Sequence, residues 1–225
     1  MVRSTARVKA KRATRARKEP APRLFAADRP PLSAGAMRIV RAAIRLFIKA
    51  GSAGFTTRGV AKEAGLSLGA VQHFFRTRDQ LMAAMLEQFL SEYRQAYDRL
   101  AVELPFNGEA RLMGALDYLV ADAWRPDARR FFFNLYALSC HSSSVARLFN
   151  QVYAHHRRRI AGFIGAARPS LSEQQCYDFA LEVAALLEGL MIYTAPGAAS
   201  VRSREHLTEL VKDSVQRLIT LPGHR

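Results

Sequence analysis

Residues 55–81, FTTRGVAKEAGLSLGAVQHFFRTRDQL, encode two short helices, a tight turn between them and the start of a third helix. Thr56 and Thr57 are N-cap types: their side-chain oxygens can accept from backbone N–H groups that a helix start leaves unpaired. They stand just before the apolar-periodic run Val60, Ala61 and Ala64. Gly65 can take a positive φ without a Cβ clash and so end that helix. Ser67 is a cap type again, and the pattern predicts a second helix from Leu68 to Phe75. Thr77, with Gln80 three residues on, predicts a capping box for the next helix. Helix, four-residue turn, helix is the spacing of a helix-turn-helix, whose second helix lies in the major groove of DNA.

The residue types suit that task. Gly69 and Ala70 keep the first turn of the second helix small, so its backbone can approach base edges. Gln72 can pair bidentately with adenine, the Ala70 methyl can meet a thymine methyl, and His73 can donate to an acceptor. Arg58 opens the first helix within reach of a guanine or a phosphate, and Arg78 is placed to hold the DNA backbone. The candidate DNA-binding set is Thr56, Thr57, Arg58, Ser67, Leu68, Gly69, Ala70, Gln72, His73, Phe74 and Arg78. An ordinary pair of core helices has no need of small residues on a polar first turn with cations at both flanks.

Charge supports the same reading. The chain has 225 residues and a formal net charge of +15, which points to a polyanionic partner. Residues 1–34 hold ten Lys/Arg against two acids, residues 35–81 hold eight against two, and residues 82–225 hold sixteen against fifteen. The excess is confined to the first third, where a nonspecifically basic protein would not be expected to segregate it. This divides the chain into a basic, Pro-containing arm (1–34) expected to be disordered, a DNA-binding unit (35–81) and a helical body (82–225). The arm is either a solubilising tail or a segment that tracks phosphates beside the recognition helix.

Other classes find little support. No apolar h-region opens the chain and no run of 18 apolar residues follows, so neither secretion nor a membrane partner is expected, and the setting is cytoplasmic. Cys140 and Cys176 are not in a ligand spacing and read as reduced, packed thiols. His155 and His156 are adjacent and cannot face one ion from a helix, so no metal and no cofactor is expected. Cys140-His141 is the only adjacent nucleophile–base pair, but helical neighbours point about 100° apart and no orienting acid is spaced to serve, which argues against an enzyme.

The remaining pattern is helical throughout, giving an all-α fold. A helix over Ala34–Ala50 carries Met37, Val40, Ile44, Phe47 and Ile48 on one face and Arg38, Arg41, Arg45 and Lys49 on another, either solvated or facing a phosphate backbone. A long helix over Arg78–Ala101, with the stripe Leu81, Met82, Met85, Leu86, Phe89, Tyr93, Tyr97 and Leu100, links head and body; the stripe reads as core. Further helices are expected over Glu109–Ala123 (after Pro105, with Asn107 as cap), Asp127–Cys140, Val145–Ala166, from Ser172 with Gln175 as a capping box, and Ser203–Leu221. Phe179–Tyr193 is apolar around most of its circumference, and the Ala195–Gly197 turn separates it from a last amphipathic helix bearing Leu207, Leu210, Val211, Val215, Leu218 and Ile219.

Residues Arg38 to Leu86 resemble the TetR family of transcriptional regulators. The matching elements are AAIRLF (Ala42–Phe47), Gly51, Gly54, TTRGVAKEAGLSLGAV (Thr56–Val71), Phe75, Arg78 and Leu81. Gln72 stands where the family usually has Tyr, Phe74 where it often has His or Tyr, and Arg78 where it has Lys. The resemblance implies an N-terminal three-helix DNA-binding domain and a C-terminal helical domain for ligand binding and dimerisation. It implies a homodimer on a pseudo-palindromic double-stranded DNA operator, with repression relieved by a small hydrophobic or amphipathic inducer; activators and ligand-independent members are the alternatives. Three consecutive phenylalanines cannot all enter one helix–helix interface, so the aromatic residues of the body are either a well-packed core or, as the resemblance implies, the lining of an inducer pocket drawing on Trp124, Phe132, Phe133, Tyr136, His141, Phe149 and Tyr153. The last two helices would form half of a four-helix dimer interface drawing on Ala184, Leu187, Gly189, Met191, Leu210, Val211 and Leu218, the alternative being a helix pair buried within the chain.

Overall fold

The computed structural model describes residues 32–104, 107–193 and 204–220, without the side chains of Ala101, Arg204 and Ile219. Nearly all of the expected basic arm, Pro105 and the 195–197 turn lie outside these residues. Every regular element among those described is a helix: α1 (Ala34–Gly54), α2 (Thr57–Ala64), α3 (Leu68–Phe74), α4 (Arg78–Glu103), α5 (Gly108–Ala123), α6 (Pro126–Ser139), α7 (Ser143–Ala167), α8 (Glu173–Tyr193) and α9 (Arg204–Thr220).

The caps read from sequence are made. Thr56 Oγ1 accepts from Gly59 N at 3.0 Å, and Ser67 Oγ accepts from Ala70 N at 3.1 Å. Gly65 takes φ 64°, ψ 40° and its N–H returns to the end of α2. Thr77 and Gln80 close the capping box of α4, and Ser172 with Gln175 does the same ahead of α8. Asn107 Oδ1 accepts from both Glu109 N and Ala110 N. Most helix ends fall within two residues of expectation, and two of the differences have a clear local cause. Pro126 begins α6 instead of preceding it, because a first-turn N–H has no intrahelical acceptor to lose. Gly51, at φ 64°, breaks α1 one residue past its expected end, and a short helical turn continues to Gly54.

Two apolar cores stack along α4. The first joins α1, α2, α3 and the start of α4 to Phe131, Leu135, Val145 and Leu148 of α6 and α7. The second joins the far half of α4 to α5, α7, α8 and α9. The head formed by α1, α2 and α3 therefore closes its core with residues from the body. Phe131 is the hinge pin: its ring lies 5.3 Å from Phe47 of α1 and stacks at 3.5 Å on Phe89 of α4. Asn134 adds a polar tie, donating from Nδ2 to Phe47 O at 3.4 Å and to Arg130 O at 2.8 Å. In the body, α5 and α7 meet so closely at Gly108 that a Cβ there would lie 1.9 Å from Ala166 O.

The three phenylalanines separate as 100° steps require. Phe131 is buried, Phe132 is half-buried, and Phe133 is exposed. Cys140, expected to be packed, is exposed at the end of α6, whereas Cys176 is buried in the second core. No described helix is long and apolar enough to cross a membrane.

Candidate DNA interface and ligand cavity

At the head, Val60, Ala61, Ala64 and Val71 are buried and fix α2 against α3, so the opposite faces point outward. Arg58, Ser67, Gly69, Gln72, His73 and Phe74 are exposed there, Thr57, Leu68 and Ala70 are half-buried, and the Thr56 hydroxyl is engaged as a cap. A Cβ on Gly69 would meet nothing closer than Ser67 Oγ at 4.0 Å, so the start of α3 presents open backbone. Phe74 is partly covered: its ring tip lies where a Cβ on Gly35 would approach to 2.9 Å.

Cations divide between internal ties and free surface. Arg38 donates to Ala64 O at 2.9 Å and so caps the C-terminus of α2. Arg45 pairs with Glu63 at 2.9 Å. Arg78 donates from Nε to Phe55 O at 2.9 Å and from Nη2 to Ser52 O at 3.0 Å, with its guanidinium over the Phe55 ring. Its main contact is thus with the α1–α2 connection, a role the sequence reading did not anticipate. Arg41, Lys49, Arg58, Lys62 and Arg76 remain exposed around the same end of the molecule.

In the body, a cavity of about 510 Å³ opens between α4, α5, α6, α7 and α8. Of the seven pocket residues expected from sequence, Phe132 and Tyr153 line it. Trp124 packs against the second core, Phe149 against the first, and Phe133, Tyr136 and His141 face solvent. The expectation placed the pocket by aromatic density in α6 and α7. The cavity instead takes its largest rings, Tyr93 and Tyr97, from the α4 stripe that had read as core.

Three phenols in its wall are each held on a partner. Tyr93 Oη donates to Asp122 Oδ2 at 2.5 Å, and Asp122 also pairs with Arg125 at 3.0 Å. Tyr97 Oη and His156 Nδ1 are 2.5 Å apart. Burial pushes the Tyr97 phenol up and the His156 imidazole down to about 4, so the phenol keeps its proton and the neutral imidazole accepts it. Tyr153 donates to the Glu188 carboxylate. Burial raises the Glu188 pKa, and the Tyr153 hydrogen bond opposes that shift; neither influence is a cation. Glu188 was not singled out from sequence, where it appears only as an interruption of an apolar helix. Among the described residues no group of three or more His, Cys, Asp or Glu could hold a metal ion.

The surface of α8 also corrects an expectation. Ala184, Leu187, Met191 and Val211 are buried in the second core of their own chain and cannot face a partner. Gly189 and Leu218 are half-buried and Leu210 is exposed. The outer stripe of α8 keeps Gly189 from the expected set and joins it to Leu181, Ala185 and Ile192, with Tyr193 beside it. A groove formed by Glu182, Ala185, Leu186, Ser214, Arg217 and Leu218 runs between this stripe and α9.

Residues 39–85 match the family model described as bacterial regulatory proteins, tetR family, and residues 108–220 match the model described as BetI-type transcriptional repressor, C-terminal. The chain is 28% identical over 156 residues to the HTH-type transcriptional regulator BetI of Stenotrophomonas maltophilia (strain R551-3), an alignment covering 69% of this chain and 78% of that protein. Its fold is similar to that of a TetR transcription regulator from Haloarcula marismortui (TM-score 0.69, 19% identity, 84% of this chain and 97% of that one). It is also similar to a transcriptional regulator from Saccharomonospora viridis in complex with choline (TM-score 0.67, 21% identity, 80% of this chain and 95% of that one).

Proposed function

The chain belongs to the TetR family of bacterial transcriptional regulators, and from that premise we propose that it is a dimeric repressor released from a pseudo-palindromic DNA operator by a small amphipathic cation bound in the body cavity. Glu188 is the observation that carries the ligand class. It is a carboxylate set in a cavity wall, partnered by the Tyr153 phenol and close to the Tyr97 ring. An organic cation would gain from the Glu188 charge and from the faces of Tyr93, Tyr97, Tyr153 and Phe132 at once. The choline complex of the Saccharomonospora viridis protein supports the same chemistry.

The exposed end of α3 and its flank, Arg58, Ser67, Gly69, Gln72 and His73, is the surface assigned to the operator. Dimerisation would present two such surfaces to successive major-groove faces. The cavity is lined by Leu90, Tyr93, Arg94 and Tyr97, which lie on the same continuous helix that leaves the head at Arg78. A ligand that favours one position of α4 over another changes the separation of the heads and hence operator affinity.

The test begins with selection of genomic DNA fragments by the purified protein and footprinting of the winner. Arg58→Ala and His73→Ala are expected to lower operator affinity without changing dimerisation. Choline, as the first probe, is expected to weaken operator binding in the unaltered protein and to lose that effect in Glu188→Gln, whose DNA binding without ligand stays the same. No footprint, or an identical choline response in Glu188→Gln, would sink the reading.

A further inference from the structure

The cavity has a second polar wall that a simple cation does not use. On α7, Gln151, His155 and Arg158 succeed one another at spacings of four and three, so they share a stripe, and all three line the cavity. Arg94 of α4 lines it as well. Burial lowers the His155 pKa, and the positive fields of Arg158 and Arg94, which line the same cavity, lower it further. His155 Nε2 is buried and makes no hydrogen bond. The same lining also carries acidic and aromatic groups: Glu188 held by Tyr153, and Asp122 held by Tyr93 and Arg125. The cavity therefore presents groups of both charges to one space, with no cation among the influences on Glu188 and no acid among those on His155.

A monocation seated at Glu188 would offer nothing to Arg94, Arg158 and His155 and would be repelled by the two arginines. An anion at the basic wall would meet the converse problem at Glu188. We propose that the cavity recognises a zwitterion, a quaternary or protonated amine joined by a short chain to a carboxylate or phosphate. The ammonium lies against Glu188 and the tyrosine faces, and the oxyanion takes charge-assisted hydrogen bonds from Arg94, Arg158 and His155. This rests on the cation-binding reading of Glu188 and adds the group at the other end of the ligand.

Calorimetric titration of the full chain with phosphocholine, trimethylammonium butyrate, choline and inorganic phosphate separates the two. Charge-assisted hydrogen bonds to the oxyanion predict that a zwitterion binds about ten- to a hundred-fold more tightly than choline. Whether phosphocholine or the butyrate gains identifies the oxyanion as phosphate or carboxylate. Arg158→Gln and Arg94→Gln are expected to remove that gain without weakening choline binding, since each takes away a charge that repels a monocation. Arg158 is exposed, so its replacement leaves the core untouched, and circular dichroism verifies this. Choline binding as tightly as both zwitterions, or a gain that survives in both variants, overturns the zwitterion while leaving the cation site standing. Failure of all four probes to bind overturns both. Phosphate alone binding as well as the zwitterions, with no dependence on Glu188, would show an anion site and also overturn the proposal.

Discussion

His156 and Arg78 show how single side chains here have uses their sequence positions do not announce. His156 lies in the cavity wall with its pKa pushed down to about 4 by burial, against an ordinary value near 6.5. Between those two values the unfolded chain binds a proton at this imidazole and the folded chain does not. Stability is therefore full above about pH 6.5 and falls as pH is lowered towards 4, by about 2–3 kcal/mol from this group. His156→Gln can still meet the Tyr97 hydroxyl but does not titrate. Urea unfolding at about pH 7 and about pH 4.5 should show a smaller loss in the variant than in the parent; equal losses would remove His156 as the cause. Arg78 makes the contrasting point. Arg78→Lys keeps the charge at the head but loses the planar fork that reaches Phe55 O from Nε and Ser52 O from Nη2. It should cost about 1–2 kcal/mol in thermal or chemical unfolding, the lower end because the side chain is partly exposed. A Lys variant as stable as the parent would return Arg78 to the role of a simple phosphate contact.

At the scale of elements, the local grammar of caps was legible and the long-range assembly was not. Thr56, Ser67, Thr77 and Asn107 declare helix starts because a cap involves only residues two or three apart. The cavity is assembled from α4, α5, α6, α7 and α8, so no local pattern marks it. Tyr93 and Tyr97 continue an unbroken apolar stripe, and nothing in that stripe says where the protein core ends and the cavity begins. The packing of head on body is nonlocal for the same reason: Phe131 and Leu135 of α6 complete the first core across a long sequence separation. That packing carries a prediction about communication. Phe131 touches Phe47 and Phe89, and Phe89 in turn contacts Phe132 and Tyr93, which line the cavity. Phe131→Leu keeps an apolar group of similar bulk but removes the stacked ring. Ligand affinity should change little while the ligand's effect on operator affinity shrinks, read by titrating the variant with and without operator. An undiminished effect would mean that the coupling runs along α4 alone.

At the scale of the whole molecule, the open question is which face meets a second copy. Regulators of this family act as dimers, and a helix apolar nearly all round offers more than one candidate face. The family resemblance pointed to Ala184, Leu187, Gly189 and Met191 on α8 and to Leu210, Val211 and Leu218 on α9; of these, Ala184, Leu187, Met191 and Val211 fill the chain's own second core. What remains outside is the stripe through Leu181, Ala185, Gly189 and Ile192, with Leu181 52% and Ile192 60% exposed. A Cβ on Gly189 would meet nothing within 4 Å, so the centre of the stripe is open to a helix of the partner. Two such stripes brought together about a two-fold axis, flanked by the two α9 helices, would form the four-helix contact expected of the dimer. Because these residues are exposed in the single chain, altering them should leave the monomer fold intact and act only on association. Leu181→Glu with Ile192→Glu is therefore expected to give a monomer by light scattering, with an unchanged helical circular-dichroism spectrum. The same variant should lose operator affinity by more than any single contact at α3 accounts for, since one head then binds one half-site without its twin. If the double variant stays dimeric, the partner lies on another face, and the spacing of the two recognition helices must be derived again from that face.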